Sequence, residues 1–219
     1  AAQHLALFVS SLPEGAIQQV LVNLANGFTA KGHRVDLVAA KFEGERPEDL
    51  DAQVRTINLN ARATRWPWLR KKRRRWLPAS TPELADYLRR ERPDGLLCGG
   101  NYANLAGLWA RRFANQPVRI TISEHNPISN SVSNPGRVKL FLPQLVRRFY
   151  PAADGIVAVS KSVADDLATF ARMPRDRITA IPNPVLTPTL LARMALPPEK
   201  PEWLPEDAPV IMTAARLAP

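Results

Sequence analysis

The chain has 219 residues, of which 30 are Lys or Arg and 20 are Asp or Glu, for a formal net charge of +10. Its 45% apolar and 23% charged residues are typical of a globular protein and exclude a disordered chain. The single cysteine, Cys98, excludes a disulfide framework and a zinc site made of several cysteines. No apolar run approaches the roughly 20 residues that span a bilayer, and the first residues do not read as a signal peptide. We therefore expect a cytosolic protein, soluble or peripheral at a membrane.

Short apolar runs alternate along the chain with helical patterns. The apolar runs predict strands at 4–9, 34–40, 53–59, 95–98, 118–123, 155–159 and 177–181. Apolar stripes predict helices at 17–28, 101–114 and 138–149, and capping signals start two more at Ser80 and Ser162. This alternation predicts an α/β fold, a Rossmann-like parallel sheet with helices on both faces. Ligands of such sheets bind at the carboxyl ends of the strands.

The composition changes near residue 182, because eight prolines fall between Pro182 and Pro209. A proline-rich stretch of this kind is typical of a linker. The run at 210–213 then has the pattern of a new strand. We therefore predict a Rossmann-like domain at 1–182, a linker at 183–208, and the first strand of a missing second domain at 209–219.

Common catalytic motifs do not occur in the sequence. The ten glycines never form G-x-G-x-x-G or G-x-x-x-x-G-K-[ST], and neither H-E-x-x-H nor G-x-S-x-G occurs. Of the three histidines, His4 starts a strand and His33 lies in a turn, so both are expected to be structural. His125 differs, because it follows a predicted strand within Ser-Glu-His-Asn-Pro at 123–127.

Several short motifs occur in a particular order. They are Pro-Glu-Gly at 13–15, Gly-His-Arg-Val at 32–35, Glu-His-Asn at 124–126, Ala-Asp-Gly-Ile-Val-Ala-Val-Ser at 153–160, Ile-Pro-Asn-Pro-Val at 181–185 and Ala-Arg-Leu at 215–217. In this order and spacing, the chain resembles the amino-terminal half of a retaining GT-B glycosyltransferase of family 4. The resemblance runs from about residue 5 to the end of the sequence.

The resemblance implies an enzyme of two Rossmann-like domains that face each other across a cleft. The amino-terminal domain mostly holds the acceptor, and the other mostly holds the nucleotide-sugar. The chain is therefore expected to be inactive without the donor-binding half. The nucleotide-sugar is a substrate, so no cofactor is expected, and no metal is expected because no D-x-D cluster occurs. The alternative is a non-catalytic basic binding module on the same fold.

The resemblance also implies roles for single residues at the ends of the strands. It makes His125 the residue that contacts the reacting sugar, whereas a lone histidine would be a structural loop residue. Gly15 would let the donor phosphates approach a helix amino terminus, or would be an ordinary turn glycine. Glu124 and Asn126 are further candidates for substrate binding, although Asn126 could instead shape the turn before Pro127.

Two more candidates begin predicted helices. Asn101 follows Gly99 and Gly100 and either contacts the acceptor or caps the helix. Lys161 lies between two serines that are candidate caps, and its ammonium could bind an anionic acceptor. Cys98, on a buried strand, is expected to be a small core residue.

The positive charge is concentrated in one segment. Residues 61–77 hold eight basic and no acidic residues, so without them the net charge of +10 falls to +2. The helix at 138–149 and its flank add Arg137, Lys139, Arg147 and Arg148 around an apolar stripe. Such a helix is a further candidate for membrane contact.

Three partners are considered for the basic segment: solvent alone, nucleic acid, and an anionic membrane. A solvated loop has no need of tryptophans, whereas tryptophan and cations together suit a membrane surface. Nucleic acid is the less favoured partner. The residues predicted to bind the membrane are Trp66, Trp68, Arg70, Lys71, Lys72, Arg73, Arg74, Arg75 and Trp76. Since the resemblance implies a lipid-linked or glycan acceptor, we expect a peripheral position on the inner face of the membrane.

Overall fold

The computed structural model describes residues 1–12, 15–42, 45–61, 80–132 and 137–196, and a parallel sheet of seven strands organises them. The strands occur in the order β3-β2-β1-β4-β5-β6-β7. Their bounds are β1 (His4–Leu12), β2 (Arg34–Phe42), β3 (Arg55–Asn58), β4 (Gly95–Gly99), β5 (Arg119–Glu124), β6 (Gly155–Ala158) and β7 (Thr179–Ala180). β1 is an interior strand, pairing with β2 from His4 and with β4 from Leu5. The predicted Rossmann-like sheet is confirmed.

Seven α-helices connect or follow these strands within the described residues. They are α1 (Ala16–Ala30), α2 (Thr81–Glu91), α3 (Asn101–Ala114), α4 (Ile128–Val132), α5 (Arg137–Phe149), α6 (Lys161–Ala171) and α7 (Pro188–Met194). Two of them were not predicted. α4 lies in a predicted loop, where Asp166 accepts hydrogen bonds from the first two backbone N–H groups. α7 lies in the predicted linker, where the Thr187 hydroxyl caps the helix and proline takes its first position.

The two faces of the sheet carry separate cores. On one face, α1 packs Leu21 and Ala25 against Leu7 of β1 and Leu37 of β2, all of them fully buried. The opposite face carries the larger core, to which α2, α3, α5 and α6 contribute. Burial of apolar surface on both faces is what stabilises an open parallel sheet.

The close approach of α3 to β4 depends on a glycine. A Cβ on Gly107 would lie 2.3 Å from the sulfur of Cys98, which is a clash. Cys98 is fully buried, and burial raises the pKa of its thiol, so the expected core role is confirmed. The glycine thereby allows the second turn of α3 to lie close to the sheet.

The apolar stripe of α5 belongs to the protein core, and the expectation of a membrane-facing stripe is wrong for its described part. Leu142 and Val146 are 1% and 0% exposed. Arg147 donates from Nε to the backbone oxygen of Phe170 at 2.8 Å, which ties its side chain to α6. The stripe is hydrophobic because it packs on other helices and on the sheet.

A charged cluster holds the amino ends of β1, β2 and β3 together. The carboxylate of Asp36 is buried and accepts hydrogen bonds at 2.9 Å from Arg55 Nε and at 2.6 Å from the Tyr87 hydroxyl. His4 Nε2 lies 2.9 Å from the same carboxylate, and Arg55 also pairs with Glu91 at 2.5 Å. We call Asp36, His4, Arg55, Tyr87 and Glu91 the Asp36 cluster.

The chain divides into two compact units, Ala1–Val185 and Leu186–Pro219. Of the second unit, α7 and its immediate flanks are described. The predicted strand at 209–219 lies outside the described residues, so the proposed boundaries at 182 and 208 stay predictions. Within the part of the chain that the structure describes, no helix is long and apolar enough to cross a membrane.

Candidate functional site

The predicted site residues lie at one edge of the sheet. β1, β4, β5 and β6 are neighbours in the sheet and run parallel, so their carboxyl ends lie side by side. Gly15, Asn101, His125 and Lys161 each follow one of these ends. The fold therefore collects on one edge the residues that are separated in the sequence, as expected of a ligand-binding edge.

His125 follows the end of β5 and is partly buried. Its Nε2 lies 3.2 Å from the hydroxyl oxygen of Ser123, two residues earlier on the same strand face. Burial lowers the pKa of His125, so the ring is uncharged at neutral pH. A neutral imidazole offers one donor and one acceptor, and the tautomer decides which nitrogen faces Ser123.

A cavity of about 360 Å³ opens beside His125 on the face of the sheet that α1 partly covers. Ser123 and His125 line its end at the carboxyl edge, and Gln3 and Asp94 line the opposite end. Between them the wall is mainly aliphatic and includes Leu5, Leu7, Leu24, Leu97, Val157 and Ile181. Gly15, Asn101, Asn126 and Lys161 are not among the lining residues. His125 is thus the one predicted site residue that the structure places in this cavity wall.

Gly15 is the N-cap residue of α1 and has φ of 115°, a backbone conformation that favours glycine. A Cβ at this position would also lie 2.3 Å from the side-chain oxygen of Gln18. The backbone conformation by itself therefore requires glycine at this position. Among the described residues, no side chain caps α1, and the first N–H groups of a helix favour an anion. Phosphate contact at Gly15 stays a prediction.

Asn101 is the first residue of α3, and Gly100 takes the N-cap position with φ of 88°. The capping role considered for Asn101 is therefore wrong. A Cβ on Gly99 would lie 3.0 Å from Ile17 Cγ2, so this glycine allows the first turn of α1 to approach the β4–α3 connection. The first turns of the two helices consequently lie near each other.

Lys161 begins α6 with an exposed side chain. The Ser160 hydroxyl accepts a hydrogen bond from the backbone N–H of Val163 at 3.2 Å, so Ser160 is the cap, and the helix start predicted at Ser162 is wrong. Asn126 is exposed in the bend between β5 and α4. The substrate-binding roles predicted for Lys161 and Asn126 stay predictions.

Glu124 lies in the interior, with only 2% of its surface exposed. Its Oε1 accepts hydrogen bonds from Asn104 Nδ2 at 2.9 Å and from the Tyr150 hydroxyl. We call Glu124, Asn104 and Tyr150 the Glu124 cluster. Burial raises the pKa of Glu124 to about 7, the hydrogen bonds from Tyr150 and Asn104 oppose the rise, and the charge of Asp166 adds to it. These contacts favour a positioning role over the direct substrate contact predicted for Glu124.

Four residues of this region were not among the predicted site residues. Ser123 contacts the imidazole, Asn104 and Tyr150 hold Glu124, and Asp166 caps α4. Asn104 lies one turn into a helix that follows two glycines, which is a weak signal for a site. Tyr150 and Asp166 carry no local signal, because their partners are 26 and 38 residues away in the sequence.

Two further predictions concern the membrane-binding residues and the absence of a metal site. The predicted membrane-binding residues between Trp66 and Trp76 lie outside the described residues. In the described ranges, no group of three or more His, Cys, Asp or Glu side chains could hold a metal ion.

The sequence matches a model of a known protein family. Residues 17–187 match the model described as Glycosyltransferase Family 4. The match begins in α1 and covers six of the seven strands, β2 to β7. Among curated proteins, none matches the chain with significance.

Solved structures share the fold at low sequence identity. Sucrose-phosphate synthase from Thermosynechococcus elongatus has a TM-score of 0.64 and 16% identity over 82% of this chain and 48% of its own. The lipopolysaccharide outer core galactosyltransferase WaaB, in its apo form, has a TM-score of 0.58 and 14% identity over 83% of this chain and 46% of its own. Anabaena HepE in complex with UDP has a TM-score of 0.56 and 14% identity over 88% of this chain and 48% of its own. The chain thus spans about half the length of these relatives.

Proposed function

The chain belongs to glycosyltransferase family 4, and from this premise we propose that it is the acceptor-binding half of a retaining enzyme. The enzyme moves a sugar from a nucleotide-sugar to a lipid-linked or polysaccharide acceptor on the inner face of the membrane. A galactosyltransferase of the lipopolysaccharide outer core and a UDP-bound relative, both with the same half-fold, support this substrate pair. The nucleotide-sugar is a substrate, and no resident cofactor is part of the proposal.

The observation that carries the proposal is the position of His125. Its imidazole lies at the carboxyl end of a central strand, beside a cavity, with Ser123 Oγ 3.2 Å from Nε2. Being neutral at neutral pH, the ring can donate a hydrogen bond to a sugar hydroxyl or accept one from it. A donor placed where charge develops on the reacting sugar stabilises the transition state.

Neighbouring groups supply the rest of the proposed site. The uncapped amino terminus of α1 behind Gly15 favours the negative charge of the donor diphosphate. Asn101 and Asn126 offer amides to sugar hydroxyls, and Lys161 offers an exposed ammonium to an anionic acceptor.

We further propose that a second, donor-binding domain completes the enzyme. The solved relatives are about twice as long as the part that this chain matches. The 219-residue chain by itself should therefore release no sugar from a nucleotide-sugar, whereas the longer protein should.

The test compares His125→Ala with His33→Ala in the protein extended by its donor-binding domain. Removal of a group that stabilises the transition state should lower the transfer rate roughly 100-fold or more. His33, whose ring packs edge-on against Phe28 away from the carboxyl edge, serves as the matched control and should leave the rate unchanged. Equal rates in the two variants would remove His125 from the site.

Membrane binding by the basic segment is the second part of the proposal. Its flanks are described: Ala61 follows β3 and Thr81 begins α2, so the segment leaves and re-enters the fold at the carboxyl edge that holds His125. The segment between these flanks holds six consecutive cations and three tryptophans, a composition that favours the headgroups of anionic lipid.

A vesicle co-sedimentation assay tests this part. At roughly 1 kcal/mol for each cation near the surface, replacement of residues 70–75 by glutamine should abolish binding to phosphatidylglycerol vesicles. The matched control replaces the same number of exposed arginines elsewhere, namely Arg90, Arg92, Arg112, Arg119, Arg172 and Arg193. Vesicle binding that survives loss of residues 70–75, or binding that occurs only with an oligonucleotide, would overturn membrane binding by the basic segment.

A further inference from the structure

The backbone of β5 is anchored from the face of the sheet that carries the larger core. Side chains alternate along the strand, so Ile120 and Ile122 join the larger core while Thr121 and Ser123 line the cavity. Glu124 lies on the side of the two isoleucines, and His125 lies on the cavity side. The carboxyl and the imidazole are therefore neighbours in sequence that point to opposite faces of the sheet.

The anchor on this face consists of several hydrogen bonds to consecutive residues of β5. Asn104 donates to Glu124 Oε1 at 2.9 Å and to the backbone oxygen of Ser123 at 3.1 Å. The side-chain oxygen of Asn104 accepts from the Ser123 N–H at 3.3 Å, and Gly100 N donates to the Ser123 oxygen at 2.9 Å. Tyr150 closes the cluster with its hydroxyl on Glu124. Little freedom remains for the backbone from which His125 projects.

The connection from β5 to α4 is held independently at its far end. Asp166 of α6 accepts from the backbone N–H of Ile128 at 2.5 Å and from that of Ser129 at 3.3 Å. The backbone oxygen of Glu124 accepts from Val159 N at 3.1 Å. His125, Asn126 and Pro127 thus span a short link with both ends fixed.

We propose that Glu124 is a positioning residue for His125. Its carboxyl, held by Asn104 and Tyr150, sets the orientation of the imidazole, and a change in the protonation of the carboxyl changes the surroundings of the ring. The inference rests on the proposed function, because it assigns His125 its task in transfer. Glu124 does not touch substrate in this arrangement; it acts through the backbone.

The charge state of Glu124 follows from its surroundings. Its hydrogen-bond partners are an amide and a phenol, neither of which is a cation. The titratable groups around the cluster are Tyr150, Cys98 and Asp166, with His125 next in sequence. Since burial raises the pKa of Glu124 to about 7, the carboxyl gains its charge in the neutral range, above the range in which His125 loses its own.

The first experiment needs no substrate. The ring resonances of the three histidines are followed by NMR against pH in the 219-residue chain and in Glu124→Gln, Tyr150→Phe and Tyr87→Phe. In the unaltered chain, His125 should titrate below pH 6.5 and show a second inflection near pH 7 from Glu124. Glutamine should remove the second inflection, and Tyr150→Phe should move it.

Tyr87→Phe is the matched control, because Tyr87 is also a fully buried tyrosine whose hydroxyl donates to a buried carboxylate. It should leave the His125 curve unchanged. Superimposable His125 curves in the unaltered chain, Glu124→Gln and Tyr150→Phe would overturn the proposal.

The second experiment measures transfer in the protein extended by its donor-binding domain. Loss of the anchor in Glu124→Ala should lower kcat roughly 10- to 100-fold with KM little changed, since a misplaced group costs rate more than binding. Glu124→Gln, which preserves the hydrogen bonds, should recover most of kcat. A full rate in Glu124→Ala together with a lost rate in His125→Ala would overturn the positioning role and leave the proposed function standing. Absence of transfer in the unaltered enzyme, with the NMR responses present, would overturn the proposed function alone.

Discussion

The Asp36 cluster and the Glu124 cluster are built from similar parts and behave differently. Each centres on a buried carboxyl that accepts a hydrogen bond from the hydroxyl of a buried tyrosine. Asp36 also has a cation, Arg55, whereas the partners of Glu124 are uncharged. A buried carboxylate with an arginine remains ionised, and one without a cation favours its proton.

The pKa values of the two carboxyls accordingly move in opposite directions. Burial would raise the pKa of Asp36, but hydrogen bonds from Arg55, Tyr87 and His4 outweigh it and lower the pKa. Burial dominates at Glu124 and raises the pKa to about 7. The comparison indicates that the Asp36 cluster stabilises the amino edge of the sheet, whereas the Glu124 cluster holds a site-forming strand with a carboxyl close to its titration point.

The largest expected effect is on stability at the Asp36 cluster. Asp36→Asn should lower the free energy of unfolding at pH 7 by about 2–4 kcal/mol, less than for a wholly buried pair because Arg55 is 41% exposed. Because the folded pKa is depressed, this stabilisation is present above the ordinary carboxyl pKa of 3.8 and is lost as the pH falls through the folded pKa. Urea denaturation at pH 7 and pH 3 should show the difference shrinking. Asp86→Asn, in an exposed pair with Arg89, is the control and should cost less than about 1 kcal/mol.

The next effect is the opposite pH dependence at Glu124. The folded pKa of Glu124 is raised from 4.5 to about 7, so the free energy of unfolding falls as the pH rises between these values, because unfolding releases a proton that the folded state still binds. Glutamine has no such proton, so Glu124→Gln should gain about 1–3 kcal/mol relative to the unaltered chain between pH 5 and pH 8. Denaturation curves at the two pH values measure it. A gain that does not grow with pH would mean that Glu124 is ionised in the same range as an ordinary carboxyl.

A smaller effect distinguishes the two tyrosines. Tyr87→Phe removes a hydrogen bond to a charged carboxylate and should cost about 1.5–3 kcal/mol, whereas Tyr150→Phe removes one to a largely neutral carboxyl at pH 6 and should cost about 0.5–1.5 kcal/mol. Thermal unfolding of both variants at pH 6 tests the ranking. Equal costs would show that the two clusters do not differ in charge state.

The smallest expected effect on stability is at Ser123, whose hydroxyl lies 3.2 Å from His125 Nε2. Ser123→Ala should change the free energy of unfolding by less than about 1 kcal/mol, while shifting the midpoint of the His125 titration in NMR. Ser162→Ala, which removes a hydroxyl 2.9 Å from Ser160 Oγ, is the control and should leave that midpoint unchanged. An unchanged midpoint in Ser123→Ala would show that the hydroxyl does not hold the imidazole.

Local patterns predicted much of the fold. Apolar runs located all seven strands, and their alternation with helices predicted that the strands are parallel. They did not predict α4, because the groups that begin this helix are capped by Asp166, 38 residues further along the chain. They also led to a membrane-facing interpretation of α5, whose Leu142 and Val146 are buried. An apolar stripe has the same spacing whether it packs on a core or lies on a lipid surface.

The sequence by itself determined which residues follow the carboxyl ends of the central strands, since strand length and period are local properties of the chain. It therefore placed His125, Gly15, Asn101 and Lys161 on one edge of the sheet before any contact was known. Only the tertiary structure decided that Glu124 faces inward to Asn104 and Tyr150 while His125 faces the cavity. Burial and hydrogen bonds between elements 20 and 26 residues apart set that orientation and the charge of the carboxyl, and no pattern within a single strand contains them.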